Sequence, residues 1–132
     1  MNKVLMATIL IGIALAAASP MFAHHGSRVS YDLDRMVTVT GTVSEYQWQN
    51  PHVYVMFDVT DESGKTTAWA AETYSPVVMI RNYQWGHHTF KAGDKVTVTL
   101  WPSKIGAPRG FLAKMVFPDG HVTDLTRGGG PE

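Results

Sequence analysis

Apolar side chains that return at every second position constrain this chain more than any other feature. Val37, Val39, Gly41 and Val43 alternate with Thr38, Thr40 and Thr42, and Val53, Val55, Phe57 and Val59 form a second stripe. Val96, Val98 and Leu100 form another, followed by Phe111, Ala113, Met115 and Phe117. A two-residue period turns one face of a segment to a core and the other to water, which a strand does and a helix does not. Asp61-Glu62-Ser63-Gly64 has the composition of a hairpin turn, so residues 66–73 (TTAWAAET) read as the returning strand, with Trp69 and Ala71 on one face.

Past Ser44 the apolar positions change parity to Tyr46 and Trp48. Both aromatics would leave the core face unless an extra residue is absorbed, so a β-bulge or sharp coil is expected between Gly41 and Glu45. Asn50-Pro51 then ends the strand, because proline has no N–H for the ladder. Helix is expected once: Ser75 as N-cap, Pro76 at the first helical position, two turns over residues 77–85 and a stop at Gly86. Lys91-Ala92-Gly93-Asp94 and Pro118-Asp119-Gly120 are turns, and residues 121–125 form a short last strand.

Three strands, a short helix and two or three further strands is the order of the oligonucleotide/oligosaccharide-binding (OB) barrel. The expected class is therefore mainly β: a small five- to six-stranded OB-fold-like barrel with one helix between strands 3 and 4. A β-sandwich has the same strand count but less use for a helix there.

Residues 4–18 are a continuous apolar run after Lys3, shorter than the roughly 20 residues that span a bilayer and laid out like a secretory signal. The expected organisation is a signal peptide at 1–23, an arm at 24–35, a barrel at 36–126 and a disordered tail at 127–132. Cleavage after Ala23 is favoured, with the bond after Ala18 as the alternative and an uncleaved anchor as the competing reading. Without a twin-arginine pair or a lipobox cysteine, the product is expected in the periplasm or outside the cell, with no membrane anchor. Eleven basic and eleven acidic residues give no cationic surface for nucleic acid. The absence of cysteine removes disulfides, thiolate metal sites and cysteine nucleophiles.

Six histidines are many for one small domain. Cleavage after Ala23 would make His24 terminal, its α-amine beside its own imidazole and His25 next in line. That nitrogen set suits Cu(II), which prefers tetragonal nitrogen ligation. A bland alternative makes the pair part of a solvated arm. His52 follows Asn50-Pro51 at the mouth of the first hairpin, either as a ligand or as a turn residue donating to a backbone carbonyl. His87-His88 follow the helix stop and suit capping of its carbonyls; His121 reads as a solvated residue. The metal set is therefore His24, His25 and His52, with copper as the expected cofactor. Trp48, Tyr54, Trp69, Glu72 and Tyr74 are the candidates for contact with an organic ligand. No nucleophile elbow or paired carboxylate marks a reaction centre, so no enzyme is expected.

Ala23-His24-His25-Gly26-Ser27, Val39-Thr40-Gly41-Thr42-Val43 leading to Trp48, Asn50-Pro51-His52, the segment 69–72, Ser75-Pro76, residues 91–96 and Pro118-Asp119-Gly120 together resemble a family of small exported bacterial proteins classified only as a domain of unknown function, with a His-His pair after the signal peptide. The resemblance implies a periplasmic β-barrel and draws attention to His24, His25 and His52. His87-His88 fall outside its pattern. Two functions are expected from these readings: a periplasmic copper-binding protein, or a module that binds a small molecule, glycan or protein partner through rim aromatics.

Overall fold

The stripes become strands. The computed structural model describes residues 27–131, so the expected signal peptide, His24 and His25 lie outside the described residues. The elements are β1 (Val37–Gln47), β2 (Tyr54–Thr60), β3 (Thr66–Glu72), α1 (Pro76–Tyr83), β4 (Lys95–Pro102), β5 (Arg109–Val116) and β6 (Val122–Asp124). The hydrogen-bonded order is β3-β2-β1-β4-β5-β6, and a parallel β3–β5 pairing closes the first five strands on themselves. This is a mainly β, OB-fold-like barrel with one extra strand and its helix between strands 3 and 4.

β1 serves two neighbours: Val37 to Thr42 pair with β4, and Thr42 to Gln47 with β2. The expected bulge is present, as the β1–β2 register shifts between Val43 and Glu45. It absorbs Ser44, which keeps Tyr46 and Trp48 against the core after the parity change. Gly41 permits the bend, since a Cβ there would lie 2.6 Å from the Asp58 carbonyl oxygen. A second irregularity, between Thr99 and Leu100 opposite β5, has no counterpart in the sequence pattern. It explains why Phe111, Leu112 and Ala113 are all buried although they are consecutive.

Val55, Phe57, Val98, Leu100, Phe111 and Met115 fill the barrel with essentially no exposure. Each large apolar side chain buried this way contributes on the order of 2 kcal/mol. Threonine hydroxyls pair across the outer face, Thr38 with Thr99 at 2.9 Å and Thr40 with Thr97 at 3.0 Å, so the wet side of the alternation is ordered as well.

Two expectations are corrected. α1 stops before Gly86: Gln84 takes the left-handed conformation, and the N–H groups of Gln84 and Trp85 donate to Ile80 and Met79. Backbone thus closes the helix, and His87 instead sets its ring against Trp48. The tail is packed: Gly130 and Pro131 are buried, and the Tyr74 hydroxyl donates to the Gly130 carbonyl at 2.9 Å. Charge and glycine content conceal the buried phenol and indole that await it. At the other end the arm is pinned from Ser30 onward, where Lys104 N–H donates to Ser30 and Asp32 N–H to Pro102. Among the described residues no helix is long and apolar enough to cross a membrane.

Candidate functional site

The loop between β1 and β2 turns through a cis Asn50-Pro51 bond and is stitched to the end of β3. Val53 N–H donates to Tyr74, while the Thr73 N–H and hydroxyl both donate to Val53. His52 is thereby held against Thr73, with Nδ1 2.8 Å from the Thr73 carbonyl oxygen. A carbonyl can only accept, so Nδ1 carries a proton, and in the neutral imidazole it is Nε2 that keeps the lone pair. The turn-residue reading of His52 is met at one nitrogen, and the other takes no partner among the described residues.

Glu72 lies behind this imidazole, its Oε1 3.4 Å from Nδ1. Its other oxygen accepts from the hydroxyl of Tyr31, delivered by the pinned arm. Tyr54 stands on the same face, close enough for the carboxylate charge to act on its phenol. Burial pushes the Tyr31 phenol well above its ordinary pKa, and the bond to Glu72 and its charge push it further. Tyr54 is raised too, first by burial and then by the Glu72 charge, while Arg109 pulls the other way on both. Both phenols therefore stay protonated, and through Tyr31 the carboxylate ties the arm to the barrel beside the imidazole.

Cross-strand register explains the grouping. Gln47, Tyr54 and Glu72 stand directly opposite one another on β1, β2 and β3 and so share a face. With Met56, Ala70, Tyr31 and Arg109 they line a shallow cleft of about 210 Å³ on the outer face of β2–β3. On the other side of His52 a deeper cleft of about 370 Å³ lies between the hairpin mouth and α1, lined by Tyr74, Ser75, Asn82, Tyr83 and Phe111.

The residues singled out from sequence are thus divided. His52, Tyr54 and Glu72 come together. Tyr74 lies just beyond, buried and stacked in parallel with Tyr83. Trp48 packs on Tyr46 and His87 instead, and Trp69 stacks on Phe57, so neither joins the group. Tyr31, Gln47, Met56 and Arg109 were not foreseen; only strand register and the path of the arm bring them here. His24 and His25 lie outside the described residues, among which no three His, Asp or Glu side chains converge on a metal position.

A larger cleft, about 670 Å³, runs past Trp85, Phe117 and His121. Lys91 pairs with Asp94 at 3.0 Å and His121 with Asp119 at 2.6 Å, and His121 is exposed as expected while stacking one face on Phe117.

Residues 13–113 match the model of a family of unknown function (DUF6152). That span holds His24, His25, His52, Glu72 and every barrel strand through the first half of β5, leaving β6 and the tail beyond it. None of the curated proteins matches the chain.

Proposed function

Because the chain belongs to this family of unknown function, its own residues must carry any functional argument, and we propose that it is a non-enzymatic periplasmic protein that binds Cu(II) through His24, His25 and His52. Export removes residues 1–23 and frees the His24 α-amine, which chelates with its own ring. His25 lies beside it, and His52 adds an imidazole from the folded barrel.

The observation that carries this reading is the orientation of His52. A metal-ligating histidine commonly donates its second ring nitrogen to a carbonyl or carboxylate, which fixes the ring and strengthens the ligand. Here Nδ1 has both the Thr73 carbonyl and the Glu72 carboxylate before it, and Nε2 is open. Reach supports the reading as well. Tyr31 touches the same carboxylate that faces His52. Ser27–Val29 form a 3-10 turn, so the free reach is the three residues from His24 to Ser27, roughly 10 Å at about 3.3–3.6 Å per residue, and it is over this span that the amino terminus would approach Nε2.

The test is a Cu(II) titration of the processed, tag-free protein. One tightly held ion per chain is expected, lost when the N-terminus is blocked and weakened in His24→Ala and His52→Ala. Tight binding that survives both substitutions overturns the proposal, as does an intact mass showing that residue 24 is not terminal.

One observation favours a second reading, a module for a small molecule, glycan or protein partner. The outer face of strands 2 and 3 is where OB barrels take their ligands, and Tyr54, Glu72 and exposed Arg109 line the cleft found there. Glu72 already accepts from the Tyr31 phenol, which leaves Arg109 to select an anionic group. Binding at this face would be lost in Arg109→Ala and would leave copper affinity unchanged.

A further inference from the structure

The deeper cleft on the far side of His52 differs in kind from the others. No Asp, Glu, Lys or Arg lines it. Tyr83 is the ring with exposed surface at its wall, backed by buried Tyr74 and Phe111, with the side chains of Pro51 and Val78 beside it and Gly128 of the tail at its border. A Cβ on Gly128 would lie 2.7 Å from the Tyr83 hydroxyl and 2.8 Å from that of Tyr74, so the strap lies directly on both phenols and holds them as fixed walls.

Three polar groups at this cleft are unspent. Ser75 sits at the N-cap of α1 in an extended conformation, yet its side chain makes no capping hydrogen bond. The Asn82 amide has no hydrogen bond among the described residues. His52 has committed Nδ1 and retains Nε2 as an acceptor. A residue with a hydroxyl, one with an amide and one with an imidazole thus line a cleft of about 370 Å³, within the range of sites for small ligands.

We propose that this cleft binds one uncharged, hydroxylated ring, stacked on Tyr83 and hydrogen-bonded by Ser75, Asn82 and Nε2 of His52. A charged ligand would give up its hydration without a counter-ion to replace it, whereas a neutral ring exchanges water for three hydrogen bonds. Two sources supply such a ring, a sugar and a phenol. Both stack an apolar face on aromatics while presenting hydroxyls at the edge.

The ring takes the same Nε2 lone pair that Cu(II) would use, so the two compete for it; the site is tested on the metal-free processed chain, and loss of the copper proposal leaves it standing. Glucose and catechol are titrated separately while backbone amide and His52 ring resonances are followed by NMR. At least one probe is expected to give saturable shifts at Ser75, Val78, Asn82 and His52, and the probe that does so identifies the source. Ser75→Ala and Asn82→Ala are each expected to weaken it about fivefold, the effect of one neutral hydrogen bond, with thermal stability unchanged. Glucuronate, or the carboxylated catechol, should bind markedly less well than its neutral parent. The proposal is overturned if neither ring gives saturable shifts at these residues, if the charged analogue binds as well as its parent, or if both substitutions leave the affinity intact.

Discussion

A single carboxylate decides the chemistry at the residue scale. Glu72 is mostly buried and accepts from the Tyr31 phenol on the arm, so removing that donor leaves a carboxylate that water reaches poorly. Tyr31→Phe is expected to lower stability by about 1–3 kcal/mol, the cost of an unpaired buried acceptor. Under the copper proposal it should also weaken Cu(II) about tenfold, since a partner behind a ligating histidine sets its orientation. Calorimetric melts and metal titrations of the same variant read the two effects separately. The phenol has a pH signature of its own. Its pKa is raised in the folded protein, whereas the unfolded chain ionises near the ordinary value of 10.0. The stabilisation is therefore complete below that pH and is lost as pH rises above it. Tyr46, raised by burial in the same way, adds to the slope, so Tyr31→Phe should shallow the alkaline loss without abolishing it.

At the scale of elements, periodicity carries far and register does not. The stripes fixed every strand of the barrel, and the parity change at Tyr46 located the bulge, because both are properties of neighbouring residues. The arrival of Tyr31 and Arg109 beside Glu72, and the removal of Trp48 and Trp69 from that group, depend on which strand faces which, and local alternation holds no such information. The tail shows the same limit: three consecutive glycines read as disorder until Tyr74 and Trp101 stand beneath them. Two variants test these elements. Gly41→Ala would force a Cβ against a backbone carbonyl that cannot swing away and should cost about 1–3 kcal/mol in a urea melt. Deleting residues 127–132 uncovers Tyr74 and Trp101 and should cost a similar amount, about 1–3 kcal/mol from lost apolar burial. An unchanged midpoint would restore the disordered-tail reading.

For the whole molecule, a barrel without cysteine is held by its packed interior and by the β3–β5 seam that closes it. Closure brings the hairpin mouth, the end of β3, the start of β5 and the arm to one place, and His52 stands at their junction between two clefts of different character. The histidine-rich composition pointed to this place only through the Asn-Pro-His turn; the orientation that makes its imidazole useful arises from the Thr73 carbonyl across the loop. The most direct test of the copper proposal is the electron paramagnetic resonance spectrum of the Cu(II)-loaded, processed chain beside that of His52→Ala. The account predicts an axial, nitrogen-rich spectrum in which the substitution removes one nitrogen coupling. Identical spectra from the two proteins would contradict it.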